Sequence, residues 1–143
     1  MPEILARHDL KCQLRKAAAR QIGFSSKNSP LDLAEMSTPE KTSGLLSEFK
    51  KRLADIYGSR LKGVFLYGSH ARGEAGPESD IDILIVLDDW THYVGEVDCT
   101  GTAASELSLK YGLSISQVFV RERDWLERNT PFLTNVREDA IPA

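Results

Sequence analysis

The chain has 143 residues, enough for one compact domain that buries roughly 68–70% of the surface its unfolded chain exposes. A hydrophobic share of 41%, a charged share of 27% and a net charge of −3 fit an acidic globular protein and exclude nucleic-acid binding driven by bulk charge. No apolar run approaches the ~20 residues of a membrane span, and residues 1–22 contain no uncharged apolar signal core. Cys12 and Cys99 are far apart in the chain, give neither a disulfide framework nor zinc spacing, and suit a reducing, cytoplasmic compartment.

Charge divides the chain. Residues 1–28 hold six Lys/Arg against two acids, a net of +4, and the remainder carries a net of −7. Residues 2–22 are Ala-rich with a ragged apolar stripe. This leaves open a surface helix, a partner-binding arm, a fraying extension, or a segment ahead of the natural start. Met36 stands directly before STPEKTSGLLSEFKKRL, and a chain begun there is expected to fold. Glu3 and Asp9 argue against a mitochondrial presequence. Residues 25–43 are rich in Ser, Thr and Pro and read as a linker. Residues 1–43 are thus expected to be a basic extension and linker, and residues 44–143 the folded domain.

From residue 44 the pattern is regular. Ser43 is expected to cap a helix whose apolar residues Leu45, Leu46, Phe49, Leu53, Ile56 and Tyr57 recur at three- and four-residue steps, with Gly58 as its stop. A short β-rich run, KGVFLY, ends at Gly68-Ser69, and a longer strand, SDIDILIVL, spans residues 79–87. Residues 91–111 are mixed, with Gly95 and Gly101 weakening the first half of a helix that ends at Gly112. Residues 114–120, SISQVFV, form a third strand, and residues 121–143 read as one or two short helices broken by Pro131. The order predicts an α+β fold, a small sheet covered by helices.

The chemistry concentrates in residues 66–88. Asp80 and Asp82 are two apart, so on a strand they share a side and converge on hard cations of the kind used in two-metal phosphoryl transfer. Both neighbouring faces are apolar, so two unpaired carboxylates there repel each other and lose hydration; a divalent cation resolves both problems. Alone, a D-x-D is more often a solvated strand end. Here Gly68-Ser69 closes the preceding strand, with Gly68 allowing close backbone approach and Ser69 a hydroxyl and free N–H groups for a phosphate. Arg72 adds a charge-assisted contact to the same phosphate. A ten-residue, turn-rich connection brings this corner beside the carboxylates.

Other readings of these residues fail on specifics. Glu74-Ala75 stands where a P-loop requires Lys and Ser/Thr, and no G-x-G-x-x-G or G-x-S-x-G occurs. His8, His70 and His92 show no ligand spacing, and His70 reads as a solvent or nucleotide neighbour rather than the partner of Ser69. Phe65 and Tyr67 read as core.

GSHARGEAGPESDID resembles the signature of the nucleotidyltransferase superfamily that includes DNA polymerase β: G-S, ten residues, D-x-D. Gly68, Ser69, Asp80 and Asp82 match it in register. Ala71-Arg72-Gly73 and Ser79 resemble its small stand-alone branch, as do Asp124-Trp125 and the later Thr130-Pro131-Phe132-Leu133. The branch is that of the minimal nucleotidyltransferase antitoxins, which pair with helical HEPN ribonuclease toxins and move AMP from ATP to a toxin tyrosine. The resemblance implies a polymerase β-like fold and a two-Mg2+ site on Asp80 and Asp82. It implies nucleotide contacts at Gly68, Ser69, Arg72 and Ser79. Relatives with added domains act on aminoglycoside hydroxyls, a reading disfavoured here because no second domain is evident.

One feature departs from that family. Its third carboxylate comes from the next core strand, where this chain has Ser114 or Ser116 and no acid. Glu96 or Asp98 is a possible substitute from the preceding connection, whereas Glu122 and Asp124 lie beyond the strand. Loss of a general base costs about 10²–10⁴-fold in rate. The resemblance therefore implies either an adenylyltransferase or a degenerate relative that neutralises its partner by binding alone.

Overall fold

The computed structural model of the chain describes residues 37–143 apart from Pro77. The basic segment, Cys12 and the start at Met36 lie outside the described residues. The first helix, α1, spans Thr38–Tyr57, and its cap, Ser37, lies six residues before the expected cap at Ser43. A capping box explains the difference. Ser37 Oγ accepts from the Glu40 amide, while a Glu40 carboxylate oxygen accepts from the Ser37 amide, 3.1 Å away. These reciprocal bonds outweigh the linker-like composition of residues 38–43. Leu45, Phe49, Leu53 and Ile56 are buried on one stripe, as their spacing predicts, and Gly58 at φ +56° ends the helix.

Strands β1 (Leu61–Tyr67), β2 (Ile81–Leu87), β3 (Ile115–Arg121) and β4 (Ile141–Pro142) form one sheet in the order β3-β2-β1-β4. β1 pairs antiparallel with β2 and β4, while β2 pairs parallel with β3. The sheet is therefore mixed, and the expected α+β architecture holds. A four-residue helix, α2 (Ser69–Arg72), joins β1 to the connection before β2. The parallel crossover from β2 to β3 runs through α3 (Tyr93–Tyr111), and α4 (Glu122–Glu127) and α5 (Pro131–Asp139) follow β3.

β2 is central, and its composition shows why. Ile81, Ile83, Ile85 and Leu87 point into a core shared with α1 and α3, whereas Leu84 and Val86 point into a second core with Val120, Leu133 and Val136. Every β2 residue except Asp82 is buried. Both faces are covered, so a strand apolar on both sides is stable only in this position. Asp82 shares the face of Leu84 and Val86, at the end of the second core.

Two other differences from the sequence reading have physical causes. α3 is continuous through Gly95 and Gly101 because Cys99, Ala103, Leu107 and Tyr111 bury a four-residue stripe. Packing of that stripe exceeds the cost of about 1 kcal/mol per helical glycine. β4 was not expected: two residues, one of them Pro142, pair with Phe65 and Leu66, and the Ala143 amide donates to the Val64 carbonyl at 2.9 Å. Cys99 is buried on α3, and its relation to Cys12 lies outside the described residues. Two short helices separated ahead of Pro131 form as expected; Pro131 opens α5, and Thr130 Oγ1 caps it by accepting from the Leu133 amide at 3.2 Å. Among the described residues no helix is long and apolar enough to cross a membrane.

Candidate functional site

The corner after β1 is built around one glycine. Gly68 adopts φ +75° and ψ −155°, a conformation that side-chain-bearing residues rarely take, and its carbonyl accepts from the Ala71 and Arg72 amides at 3.1 Å. The β1–β2 register sets Tyr67 opposite Asp82, which brings Gly68 against the Asp82 carboxylate. A Cβ added at Gly68 would overlap Oδ2 and stand 3.2 Å from Cγ. Backbone angle and close approach both demand glycine here. Gly68→Ala is expected to lower nucleotidyl transfer at least about tenfold while costing roughly 1–3 kcal/mol of stability, read from initial rates and denaturant melts. Wild-type rates in this variant would show that the contact is incidental.

Asp82 is the second residue of β2 and half-buried; Asp80 is exposed and lies just before the strand, which starts two residues later than expected. Burial first, and then the Asp80 charge, raise the Asp82 carboxyl above its ordinary pKa, while His70 and Arg72 act in the opposite direction. Beside it, burial followed by the Asp82 charge pushes the Tyr67 phenol up to about 12. The corner and the D-x-D are thus brought together, with negative charge crowded at one sheet end.

The third acid is absent from the neighbouring strand position. Asp82 is paired in register with Ser116, which decides between the two serines considered. Glu96 does not replace it. Its side chain is fully buried on α3, accepts from the Tyr57 hydroxyl at 2.9 Å and faces Arg60 at 3.5 Å. α3 enters from the far end of β2, about 16 Å along the strand from Asp82, so both Glu96 and Asp98 belong to the wrong end of the sheet. Glu122 and Asp124 open α4 at that same far end. Among the described residues no group of three or more His, Cys, Asp or Glu is placed to share a metal. Asp80 and Asp82 alone still fit a hard cation such as Mg2+, which takes one or two carboxylates and fills its sphere with water and substrate phosphate.

The remaining candidates sit around this pair. Ser69 starts α2, half-buried. Ser79 Oγ accepts from the Gly76 amide at 2.9 Å and its own amide donates to the Gly76 carbonyl at 3.1 Å, so it closes the turn before Asp80. Arg72 is exposed and held by Glu74 at 3.0 Å and Asp139 at 2.7 Å, and these two carboxylates raise its pKa. Its partner on α5, 67 residues away, was not foreseen. Phe65 and Tyr67 pack as expected, Phe65 on Trp125 and Tyr67 edge-on to Phe132 with centroids 6.0 Å apart. His70 departs from the reading as a solvent or nucleotide neighbour. Its Nε2 lies 3.1 Å from the Ser79 carbonyl oxygen and its Nδ1 3.4 Å from Thr42 Oγ1, so the ring ties α1 to the connection before β2.

The profile of the nucleotidyltransferase domain matches residues 46–141, spanning the corner, both aspartates and all four strands but for the last residue of β4. The chain belongs to this nucleotidyltransferase family. It is 40% identical over 95 residues to a Methanocaldococcus jannaschii protein provisionally named a protein adenylyltransferase, covering 66% of this chain and 89% of that one. It is 43% identical over 54 residues to the protein adenylyltransferase MntA of Thermococcus cleftensis, covering 38% of this chain and 52% of that one. Among solved structures, a provisionally assigned nucleotidyltransferase from Sulfolobus solfataricus matches with a TM-score of 0.50 and 19% identity, over 84% of this chain and 90% of that one. This last likeness concerns the fold of the nucleotidyltransferase domain alone.

Proposed function

We propose that this nucleotidyltransferase transfers AMP from ATP to a hydroxyl of a partner protein, and that it acts as the antitoxin of a HEPN-type toxin whose tyrosine is the acceptor. The observation that supports the transfer reaction is the close approach of Gly68 to Asp82, which sets the glycine–serine corner beside the two aspartates. The names of the two archaeal relatives support adenylyl transfer to protein. The toxin and its tyrosine rest on the resemblance of the signature.

In this reading Asp80 and Asp82 hold Mg2+, and Gly68 and Ser69 orient the triphosphate through backbone N–H and hydroxyl groups, with Ser79 shaping the turn that presents Asp80. A cation held by Asp80 and Asp82 would supply neutralisation of charge on the phosphate oxygens. The acceptor hydroxyl oxygen forms a bond to the α-phosphorus as the bond to the β-phosphate bridging oxygen breaks, and pyrophosphate leaves. The hydroxyl proton passes to water, since Ser116 is no base near neutral pH. Arg72 joins the phosphates by exchanging Glu74 or Asp139 for them.

A second reading, neutralisation by binding alone, is favoured by one observation: the residue paired with Asp82 is Ser116, not an acid. Incubation with ATP labelled at the α-phosphate, Mg2+ and the product of the neighbouring gene separates the two. Label on the partner that EDTA abolishes is the expected result. A tight complex without label supports occlusion instead, and transfer from γ-labelled ATP would sink the adenylyl reading.

A further inference from the structure

Among the described residues, His70 is the imidazole wedged between the helix layer and the D-x-D, and its two nitrogens face different elements. The Ser79 carbonyl has only lone pairs to offer, so Nε2 carries the proton and donates to it across 3.1 Å. That carbonyl belongs to the peptide joining Ser79 to Asp80. On the other side, Nδ1 offers its lone pair to the hydroxyl of Thr42, buried on α1, whose single proton is shared between Nδ1 at 3.4 Å and the Thr38 carbonyl at 2.9 Å.

We propose that His70 is a positioning residue for Asp80: its ring anchors the Ser79–Asp80 peptide to α1 and so fixes the direction of the exposed carboxylate. This rests on the reading of Asp80 and Asp82 as the metal-holding pair. Asp80 needs such an anchor because it lies outside the β2 ladder, whose pairing with β3 begins one residue later, where the Ile81 amide donates to the Ser114 carbonyl at 2.8 Å. In the preceding turn the Ser79 amide donates to the Gly76 carbonyl and the Gly76 amide donates to Ser79 Oγ, bonds that are internal to the turn. Between that turn and the ladder, the ring supplies the tie to the rest of the molecule. Two carboxylates must converge within a fraction of an ångström to share a cation, so a peptide free to rotate at residue 80 weakens the site without unfolding the domain.

The ring also forms part of the wall of a groove of about 670 Å³ that includes Thr42, Leu66, Lys50 and Pro142. Truncating it therefore opens onto existing space rather than leaving a sealed cavity, and His70→Ala is expected to stay folded.

The test uses the full chain, with Mn2+ as probe by electron paramagnetic resonance and amide hydrogen exchange as an independent readout. His70→Ala is expected to weaken Mn2+ binding about tenfold and to speed exchange at residues 79–81, with the centre of β2 unchanged. His70→Gln, whose amide can still donate to the carbonyl, restores most of both. Thr42→Val, which removes the second anchor at nearly constant volume, moves both in the same direction by less. Unchanged exchange and Mn2+ affinity in His70→Ala overturn the proposal, as does failure of Gln to rescue either. Absence of Mn2+ binding in the wild-type protein overturns the metal-pair reading and this proposal with it. A loss of protection at residues 79–81 in His70→Ala would still identify the tether in that case.

Discussion

Replacing Asp82 by Asn is expected to lower AMP transfer by about 10³-fold and to raise the melting temperature of the metal-free protein. The first half follows from the site. Asp82 touches the Gly68 corner, shares its charge with Asp80, and is the more enclosed of the two carboxylates. An amide keeps the shape, halves the acceptor character and removes the charge that a phosphate-bound cation requires. The second half follows from the raised pKa, whose first cause is burial and whose second is Asp80. A carboxyl whose pKa is higher folded than unfolded binds its proton more tightly in the folded state, so its ionised form opposes folding. Stability is then gained as the pH falls through the folded pKa towards the unfolded value, and the penalty is fully present near neutral pH. Asparagine removes it. Because the side chain is only half-buried, water screens the repulsion and the gain in melting temperature is small.

Asp80→Asn should lower transfer comparably and relieve the second cause alone. Thermal melts in EDTA at neutral pH, beside α-labelled transfer assays, check both variants. Loss of stability with transfer retained in Asp82→Asn would mean that the carboxylate is structural. A rise in stability coupled to loss of function is the mark of a group held at a cost for its chemistry.

What the sequence discloses depends on whether the decisive contact is local. β1, the corner and β2 are readable because glycine, the alternating apolar residues and the two aspartates lie within one antiparallel pair. The register between them needs only a short connection. The start of α1 is equally local, in Ser37 and Glu40, where a reciprocal cap overrides a linker-like composition. The partners of His70 and Arg72 were not readable in that way. Thr42 lies 28 residues before His70, and Asp139 lies 67 residues after Arg72; only the packing of α1 and α5 around the sheet brings them there. Glu96 shows the same limit from the other direction. An acid in the segment before β3 is a candidate by order along the chain, until the crossover places it at the far end of β2 with Tyr57 and Arg60.

Restoring an acid at the position that faces Asp82 gives the sharpest separation of the two functional readings. Ser116→Asp is expected to raise AMP transfer by about 10²-fold, to tighten divalent-metal binding, and to lower the melting temperature of the metal-free protein. The register justifies the choice: partners across a parallel pair project from the same face, and Ser116 is half-buried in the row formed with Asp82 and Tyr67. A carboxylate there would join Asp80 and Asp82 in holding a divalent cation or would take the acceptor proton, whereas serine does neither well near neutral pH. Without metal the new charge adds to the repulsion that already raises the Asp82 pKa, so folding weakens. Ser114→Asp is the matched control. It adds the same charge at an exposed position about 6.6 Å from Ser116, level with Asp80 rather than Asp82, and is expected to raise the rate far less. A gain concentrated at position 116 would show that the corner and the D-x-D already form a working nucleotide site slowed by one missing carboxylate. If Ser116→Asp folds, binds ATP and metal, and still transfers nothing in the presence of its partner, the defect lies beyond the third acid and occlusion becomes the better account of the wild-type chain.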